Sequence, residues 1–396
     1  MAIATKIQNC IEQSSWIRKM FEQGALLRQQ FGAENVFDFT IGNPSVEPPA
    51  AFQQELQQLA NNPQPGMHRY MSNAGYDETR AAVAEFICQR CSKEVKADNI
   101  VMTCGAGGAL NVVLKTLLNP GEEVVILAPY FVEYKFYIDN HGGVTTEVAT
   151  NPDTFQLDIP AIERAITSNT KAIIINSPNN PTGVIYPAAE LQALNEMLLR
   201  KQQELNSTIY VISDEPYARL AYDGISVPCI FDYIANSIIV TSHSKDLALP
   251  GERIGYLATN PEISELAAFM NGAIFCNRVL GFVNAPALAQ RLVTKLQHQS
   301  VDIKAYEEKR DLFYRELTKL GFTMVKPQGG FYLFPKSPLA DDVEFVQLAQ
   351  QHNILLVPGK GFGAPGFFRI AYCIDKQIIE NSLPAWRKLA TQVGLG

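Results

Sequence analysis

Ile238-Ile239-Val240-Thr241-Ser242-His243-Ser244-Lys245 is an apolar run that ends on a lysine, and Gly251-Glu252-Arg253-Ile254-Gly255 follows it closely. Residues Ile238–Ser242 show no polar/apolar alternation. They read as a strand buried on both faces, the kind found in parallel sheets covered by helices. Open α/β sheets place their ligands beyond the carboxyl ends of such strands. A lone lysine is usually a solvated surface charge. This one has Ser242 three residues before it and Arg253 eight after, which makes it a candidate reactive amine.

The same rhythm extends outward. Apolar runs at Ile100–Thr103, Val124–Ala128, Ala172–Asn176, Ile209–Ser213 and Ile254–Ala258 alternate with helical stretches such as Leu191, Leu194 and Leu198. This predicts an α/β fold, a large domain with a mixed, mostly parallel sheet flanked by helices. Beyond residue 288 the rhythm changes to a smaller α+β domain. There Ser300 is the expected cap of a long helix carrying Ile303, Tyr306, Phe313, Leu317 and Leu320, and Gly321 its end. Strands are expected within Gly330–Phe334, Ile354–Val357 and Phe368–Ala371, before a closing helix capped by Asp375. Residues 5 to about 31 read as an amphipathic helix with Ile7, Ile11, Trp16 and Phe21 among its apolar positions. The expected division is 46–288 for the large domain and 1–45 with 289–396 for the small one.

Composition narrows the function classes. The 396 residues carry a formal net charge of -7, with 47% hydrophobic and 18% charged residues. No basic block supplies the phosphate attraction of a nucleic-acid binder, so no nucleic acid is expected as a partner. No run reaches the ~20 apolar residues of a membrane helix, so no membrane is expected either. Seven scattered cysteines and no export signal point to a reducing, cytoplasmic setting. Cys88 and Cys91 form a C-x-x-C without a second pair for zinc, and they read as two thiols on one helix face. The five histidines show no ligand spacing, and no metal is expected.

Several residue types converge on one chemistry. Asp214 follows the strand Ile209–Ser213, with Tyr217 three residues on. Asn180 lies in Asn179-Asn180-Pro181-Thr182-Gly183 after the strand Ala172–Asn176. Thr103-Cys104-Gly105-Ala106-Gly107-Gly108 links a strand to a helix whose N-terminus favours an anion. An amine for a Schiff base, a carboxylate, a phenol, a carboxamide and phosphate-binding cations are what pyridoxal 5'-phosphate requires. Lys245 would supply the amine, and Asp214 would keep the ring nitrogen protonated. Tyr217 and Asn180 would reach the ring oxygen. Ser242 and Arg253 would join Gly105, Ala106 and Gly107 at the phosphate. Phe131 is the candidate stacking face. Arg369, in the apolar run Phe367-Phe368-Arg369-Ile370, is a candidate clamp for a substrate carboxylate.

On these residues the chain resembles the class I/II aminotransferases, the aspartate aminotransferase-like group of fold type I pyridoxal phosphate enzymes. The likeness runs from Ile41-Gly42-Asn43-Pro44 to Arg369, and the S-x-S-K…R, N-P-T-G and D-x-x-Y elements carry it. It implies that Lys245 is the Schiff-base lysine and that Gly42, Asn180 and Arg369 bind substrate. It implies a homodimer with shared active sites, in which Tyr70 reaches the phosphate of the other subunit. Amino-acid and 2-oxo-acid substrates follow, with aspartate and 2-oxoglutarate as the first expectation. The matched branch holds a lysine in the phosphate loop where Gly107 stands here. A related branch uses an arginine before an Asn-Pro turn, where Val279 fits and Arg278 is adjacent. Phe131 replaces a commoner tryptophan. Rival expectations are a neutral or aromatic amino donor, or C–S β-lyase chemistry on the same scaffold.

Overall fold

The structure, a computed structural model, describes residues 2–395, without the side chains of residues 12–23, 25 and 33. Trp16 and Phe21 of the expected N-terminal stripe lie outside the described residues. The strands in chain order are β1 (Phe37–Asp38), β2 (Ile100–Thr103), β3 (Glu123–Ala128), β4 (Val144–Ala149), β5 (Thr170–Asn176) and β6 (Tyr210–Asp214). They continue as β7 (Ser237–Ser242), β8 (Gly255–Thr259), β9 (Tyr332–Leu333), β10 (Ile354–Leu355), β11 (Val357–Pro358) and β12 (Phe368–Ala371). Two compact units result, one of Met1–Ser45, Glu308–Lys326 and Phe331–Gly396, the other of Val46–Glu307 and Pro327–Gly330.

The larger unit is built on a seven-stranded sheet of order β2-β8-β7-β6-β5-β3-β4. Only β8 runs antiparallel to its neighbours β2 and β7. Strands β5, β6 and β7 are parallel, so their carboxyl ends lie along one edge. Their Val/Ile-rich sequences are buried on both faces, as continuous apolar runs require. Val101, Val124, Ile126, Ile174, Ile212 and Val240 pack in one cluster with Val112 and Val113 of the helix Gly105–Leu117 and Phe269 of the helix Leu266–Val279. The edge strand β4 was not expected. Its residues are mostly exposed or half-buried, with Val148 buried, so it carries little apolar signal.

Residues 289–307 belong to the larger unit, unlike the sequence-based division. The helix Ala287–Leu296 buries Ala289, Leu292, Val293 and Leu296. Tyr76 N donates to Gln290 Oε1 at 2.9 Å, and Thr79 and Thr294 share a hydroxyl bond of 2.7 Å. Residues 327–330 are held likewise: Gln328 N donates to Gly183 O, and Tyr222 N to Gln328 O, both at 2.8 Å.

In the smaller unit β1 pairs in parallel with β10, and β11, β12 and β9 form an antiparallel sheet. An aromatic core joins Phe39 to Phe313 at 5.0 Å, Phe345 to Phe368 at 4.6 Å and Phe322 to Trp386 at 5.5 Å between ring centroids. Such pairs add about 0.5–1.5 kcal/mol each beyond their area burial.

Three local expectations are corrected. The helix Ile303–Lys319 is not capped by Ser300, whose hydroxyl donates to Asp246 O at 3.2 Å; Asp302 Oδ1 instead accepts from Ala305 N at 3.3 Å. Gly321, at φ 91°, does follow its end. Cys88 ends the helix Asp77–Cys88, so Cys91 does not share its face. The chain has turned by then, and Cys91 Sγ meets Lys93 O at 3.5 Å. The helix Thr5–Phe31 forms as expected, but Ile7 and Ile11 are exposed in the single chain.

Candidate active site

The carboxyl edge of the larger sheet assembles the first group of residues. Asn176 at the end of β5 is in register with Asp214 at the end of β6. Asn176 Nδ2 donates to Asp214 O at 2.8 Å, and its Oδ1 accepts from Asn180 N at 2.6 Å. One carboxamide therefore ties the Asn-Pro-Thr-Gly turn to the strand that carries the aspartate. Asp214 is buried, and its Oδ2 accepts from the Tyr134 hydroxyl at 2.5 Å. Its Oδ1 is buried with no hydrogen-bond partner. Burial pushes this carboxyl up to about 7; the Tyr134 bond works against the shift and the Glu215 charge adds to it. The Tyr134 phenol is itself held well above its ordinary range, by burial first and then by Asp214. Phe131 lies edge-on to Tyr134 at 5.5 Å.

A second group surrounds the helix Gly105–Leu117, which leaves β2 after Cys104. The first backbone N–H groups of a helix have no intrahelical acceptor and favour an anion. Gly105 has φ 72°, and a Cβ there would stand 3.0 Å from Arg253 Nη2. A Cβ on Gly255 would stand 2.9 Å from Gly105 Cα. Glycine at both places lets the guanidinium and β8 approach the helix start. Arg253 has φ 50° and donates from Nη1 to Pro250 O at 3.1 Å. Ser242 Oγ donates to Ser244 Oγ at 3.0 Å. Beside Gly107, a Cβ would meet the Tyr137 hydroxyl at 3.1 Å. That phenol is pushed up to about 12 by burial, with Glu133 and Asp214 adding and Arg253 opposing.

Lys245 is half-buried in the turn after β7. His243 N donates to Ile254 O at 3.1 Å and Leu249 N to His243 O at 3.2 Å, which closes that turn against the Arg253 segment. Tyr217 is buried, and its carbonyl accepts from Leu220 N at 2.8 Å. Tyr70 is exposed over 88% of its surface. Ala106 is half-buried in the first turn of the helix.

Gly42 and Arg369 belong to the smaller unit. Arg369 donates from Nη2 to Thr40 O at 2.7 Å. Its guanidinium lies 4.4 Å from the Tyr332 ring centroid and 4.8 Å from that of Phe362. Two aromatic faces thus hold a planar cation, which suits recognition of a planar carboxylate. A Cβ on Gly42 would overlap the Tyr332 hydroxyl.

Sequence reasoning passed over Asn176, Tyr134, Tyr137 and Tyr332. Asn176 had a signal, since a carboxamide closes an otherwise apolar run. The tyrosines had none beyond their aromatic character, because their roles depend on partners distant in the chain.

Pyridoxal phosphate, the cofactor implied by the resemblance, fits this donor set. The unpartnered, deeply buried Asp214 Oδ1 is what a ring N–H would satisfy, and a cation there would offset the cost of ionising the carboxyl. Among the described residues no helix is long and apolar enough to cross a membrane.

Comparison with known proteins agrees. Residues 34–384 match the family Aminotransferase class I and II. A probable aspartate/prephenate aminotransferase of Aquifex aeolicus is 31% identical over 91% of this chain and 92% of its own length. A solved aminotransferase from Eubacterium rectale superposes with a TM-score of 0.96 at 38% identity, over 100% of both chains. The solved aspartate aminotransferase of Thermotoga maritima gives a TM-score of 0.85 at 28% identity, over 98% of this chain and 99% of that one. The chain belongs to the class I and II aminotransferases.

Proposed function

We propose that this aminotransferase moves the amino group of aspartate to 2-oxoglutarate, with pyridoxal 5'-phosphate held by Lys245. The observation that carries the reading is the buried Asp214 carboxylate with one oxygen unpartnered, at the sheet edge that also bears Asn180. Bound pyridoxal phosphate supplies an aldehyde and a ring that withdraws electrons from the substrate's Cα–H bond. In this reading the Lys245 amine would hold the cofactor as its Schiff-base partner and, once free, would carry the substrate's Cα proton on Nζ. Asp214 Oδ1 would hold the ring N–H, while Tyr217 and Asn180 would donate to the ring oxygen. Ser242, Arg253 and the amides of Gly105, Ala106 and Gly107 would bind the phosphate, and Phe131 would cover the ring face. Arg369 grips the substrate α-carboxylate beside Gly42. The net exchange would release the donor as its own 2-oxo acid and pass its amino group to the second 2-oxo acid.

The working unit in this reading is a cytoplasmic homodimer with shared sites. The exposure of Tyr70, Ile7 and Ile11 in the single chain supports the dimer, and the odd, scattered set of seven cysteines supports a reducing compartment.

A second reading keeps the reaction and changes the donor to a neutral or aromatic amino acid. Gly107, with the Tyr137 phenol beside it in place of a lysine, favours it. A donor screen with 2-oxoglutarate and pyruvate separates the two. Turnover of aspartate supports the first, and inert aspartate and glutamate with active aromatic donors support the second. Release of pyruvate and ammonia from cystathionine would instead point to β-lyase chemistry. For the cofactor site, borohydride trapping and peptide mapping are expected to place the adduct on Lys245, and Lys245→Ala to lose catalysis. An adduct elsewhere overturns the site.

A further inference from the structure

A small polar cavity lies behind the Lys245 turn, wholly within the larger unit. Its volume is about 20 Å³, and Arg90, Glu215, Arg219, His243, Asp246 and Tyr256 are among its lining residues. A water needs about 10–15 Å³ and two to four polar partners, so there is room for one.

The lining is charged. Arg90 pairs with Glu215 at 3.2 Å and Arg219 with Asp246 at 3.3 Å. His243 Nδ1 meets Asp246 Oδ2 at 3.3 Å. Two more atoms of this set, His243 Nε2 and Asp246 Oδ1, are buried with no hydrogen-bond partner. The groups around His243 are Asp246 on its own turn, Arg219 and Glu215 after β6, Arg90 after the helix Asp77–Cys88, and Tyr256 on β8 at 6.0 Å between rings. Buried ion pairs are costly, and apolar residues of equal volume often hold a fold as well or better. Stability alone therefore does not account for a concentration of them here, and a use is to be sought.

Their place in the chain supplies that use. His243 stands two residues before Lys245 and Asp246 one after, and the bond between their side chains holds Ser244 and Lys245 between its ends. The turn is fastened outside as well, since Asp246 O accepts from Val301 N at 2.8 Å and from Ser300 Oγ at 3.2 Å. We propose that His243 and Asp246, backed by Arg219 and by one water in this cavity, are positioning residues for the Lys245 amine. The water donates to Asp246 Oδ1 and meets His243 Nε2, so that the imidazole keeps one orientation. This inference rests on the reading of Lys245 as the cofactor lysine.

The first test is structural. A crystal structure that resolves solvent is expected to show one ordered water within hydrogen-bond distance of His243 Nε2 and Asp246 Oδ1; no density there overturns the proposal. The second uses cofactor-loaded protein. His243→Leu is expected to lower kcat about ten- to hundredfold with KM nearly unchanged, the scale of a small misplacement of a reacting group. It should also shift the pH midpoint of the cofactor's visible absorbance, and His243→Gln should recover most of both. Should the Leu variant fail to fold, the isosteric Asp246→Asn carries the same expectation. Variants that only melt earlier, with kcat and the absorbance midpoint unchanged, overturn it. Borohydride mapping of the unmutated protein separates the two readings. An adduct away from Lys245 sinks the cofactor site, whereas an adduct on Lys245 with unaffected variants sinks only this inference.

Discussion

Tyr134 donates its hydroxyl to Asp214 Oδ2 across 2.5 Å, while Asp214 Oδ1, on the same carboxyl, is buried and unpartnered. One oxygen of this group is satisfied by the protein and the other is not. Burial raises its folded value to about 7 from an ordinary 3.8. The stability it contributes without cofactor is therefore full below the unfolded value and lost as pH rises through about 7. Thermal melts of cofactor-free protein should show wild type losing ground to Asp214→Asn between about pH 4 and pH 7 and levelling off above, and pyridoxal phosphate should remove that trend by supplying a cation. A constant gap between the two proteins would contradict the buried, unpaired carboxyl.

The contact between Gly105 and Arg253 makes a separate prediction. Alanine at Gly105 would carry φ 72° and press on the guanidinium at 3.0 Å. Losing one charge-assisted hydrogen bond costs about 1.5–3 kcal/mol, so cofactor Kd should weaken about ten- to hundredfold. Gly251→Ala is the control, since nothing lies within 4 Å of a Cβ there. Fluorescence titration with the cofactor should separate the two variants.

In the smaller unit, Gly42→Ala should cost about 1–3 kcal/mol, as overpacking does. The added carbon overlaps the Tyr332 hydroxyl. Adding Tyr332→Phe removes that oxygen and should recover part of the loss, and a double-mutant cycle by denaturant unfolding measures the coupling. Strict additivity would mean that the two groups do not touch.

Arg369→Lys should raise KM for amino and oxo acids alike, with kcat/KM down about hundredfold, because an ammonium can neither grip a carboxylate with two parallel bonds nor lie flat between rings. The Tyr332 and Phe362 faces at 4.4 and 4.8 Å are the physical basis. Steady-state kinetics with several donors checks it. An effect confined to one donor would assign Arg369 to side-chain recognition instead.

The buried strands were legible in the sequence because a parallel sheet covered on both sides needs unbroken β-branched runs, and Ile173-Ile174-Ile175 and Ile238-Ile239-Val240 supply them. Strand β4 was not, since an edge strand with one buried residue has no such run. The ends of the runs marked Asp214, and the turns just beyond them Asn180 and Lys245, because that edge is where α/β sheets meet ligands.

Local pattern was thus enough to determine the α/β layout and the order of the strand-end residues. Tertiary structure alone decided that Tyr134 satisfies one oxygen of Asp214, that Asn176 bridges two strand ends, and that His243 and Asp246 line a charged cavity. It also placed the helix Ala287–Leu296 in the larger unit. Each of these depends on side chains meeting across long stretches of chain, and periodicity carries information only about the face a residue presents, not about the partner that it finds there.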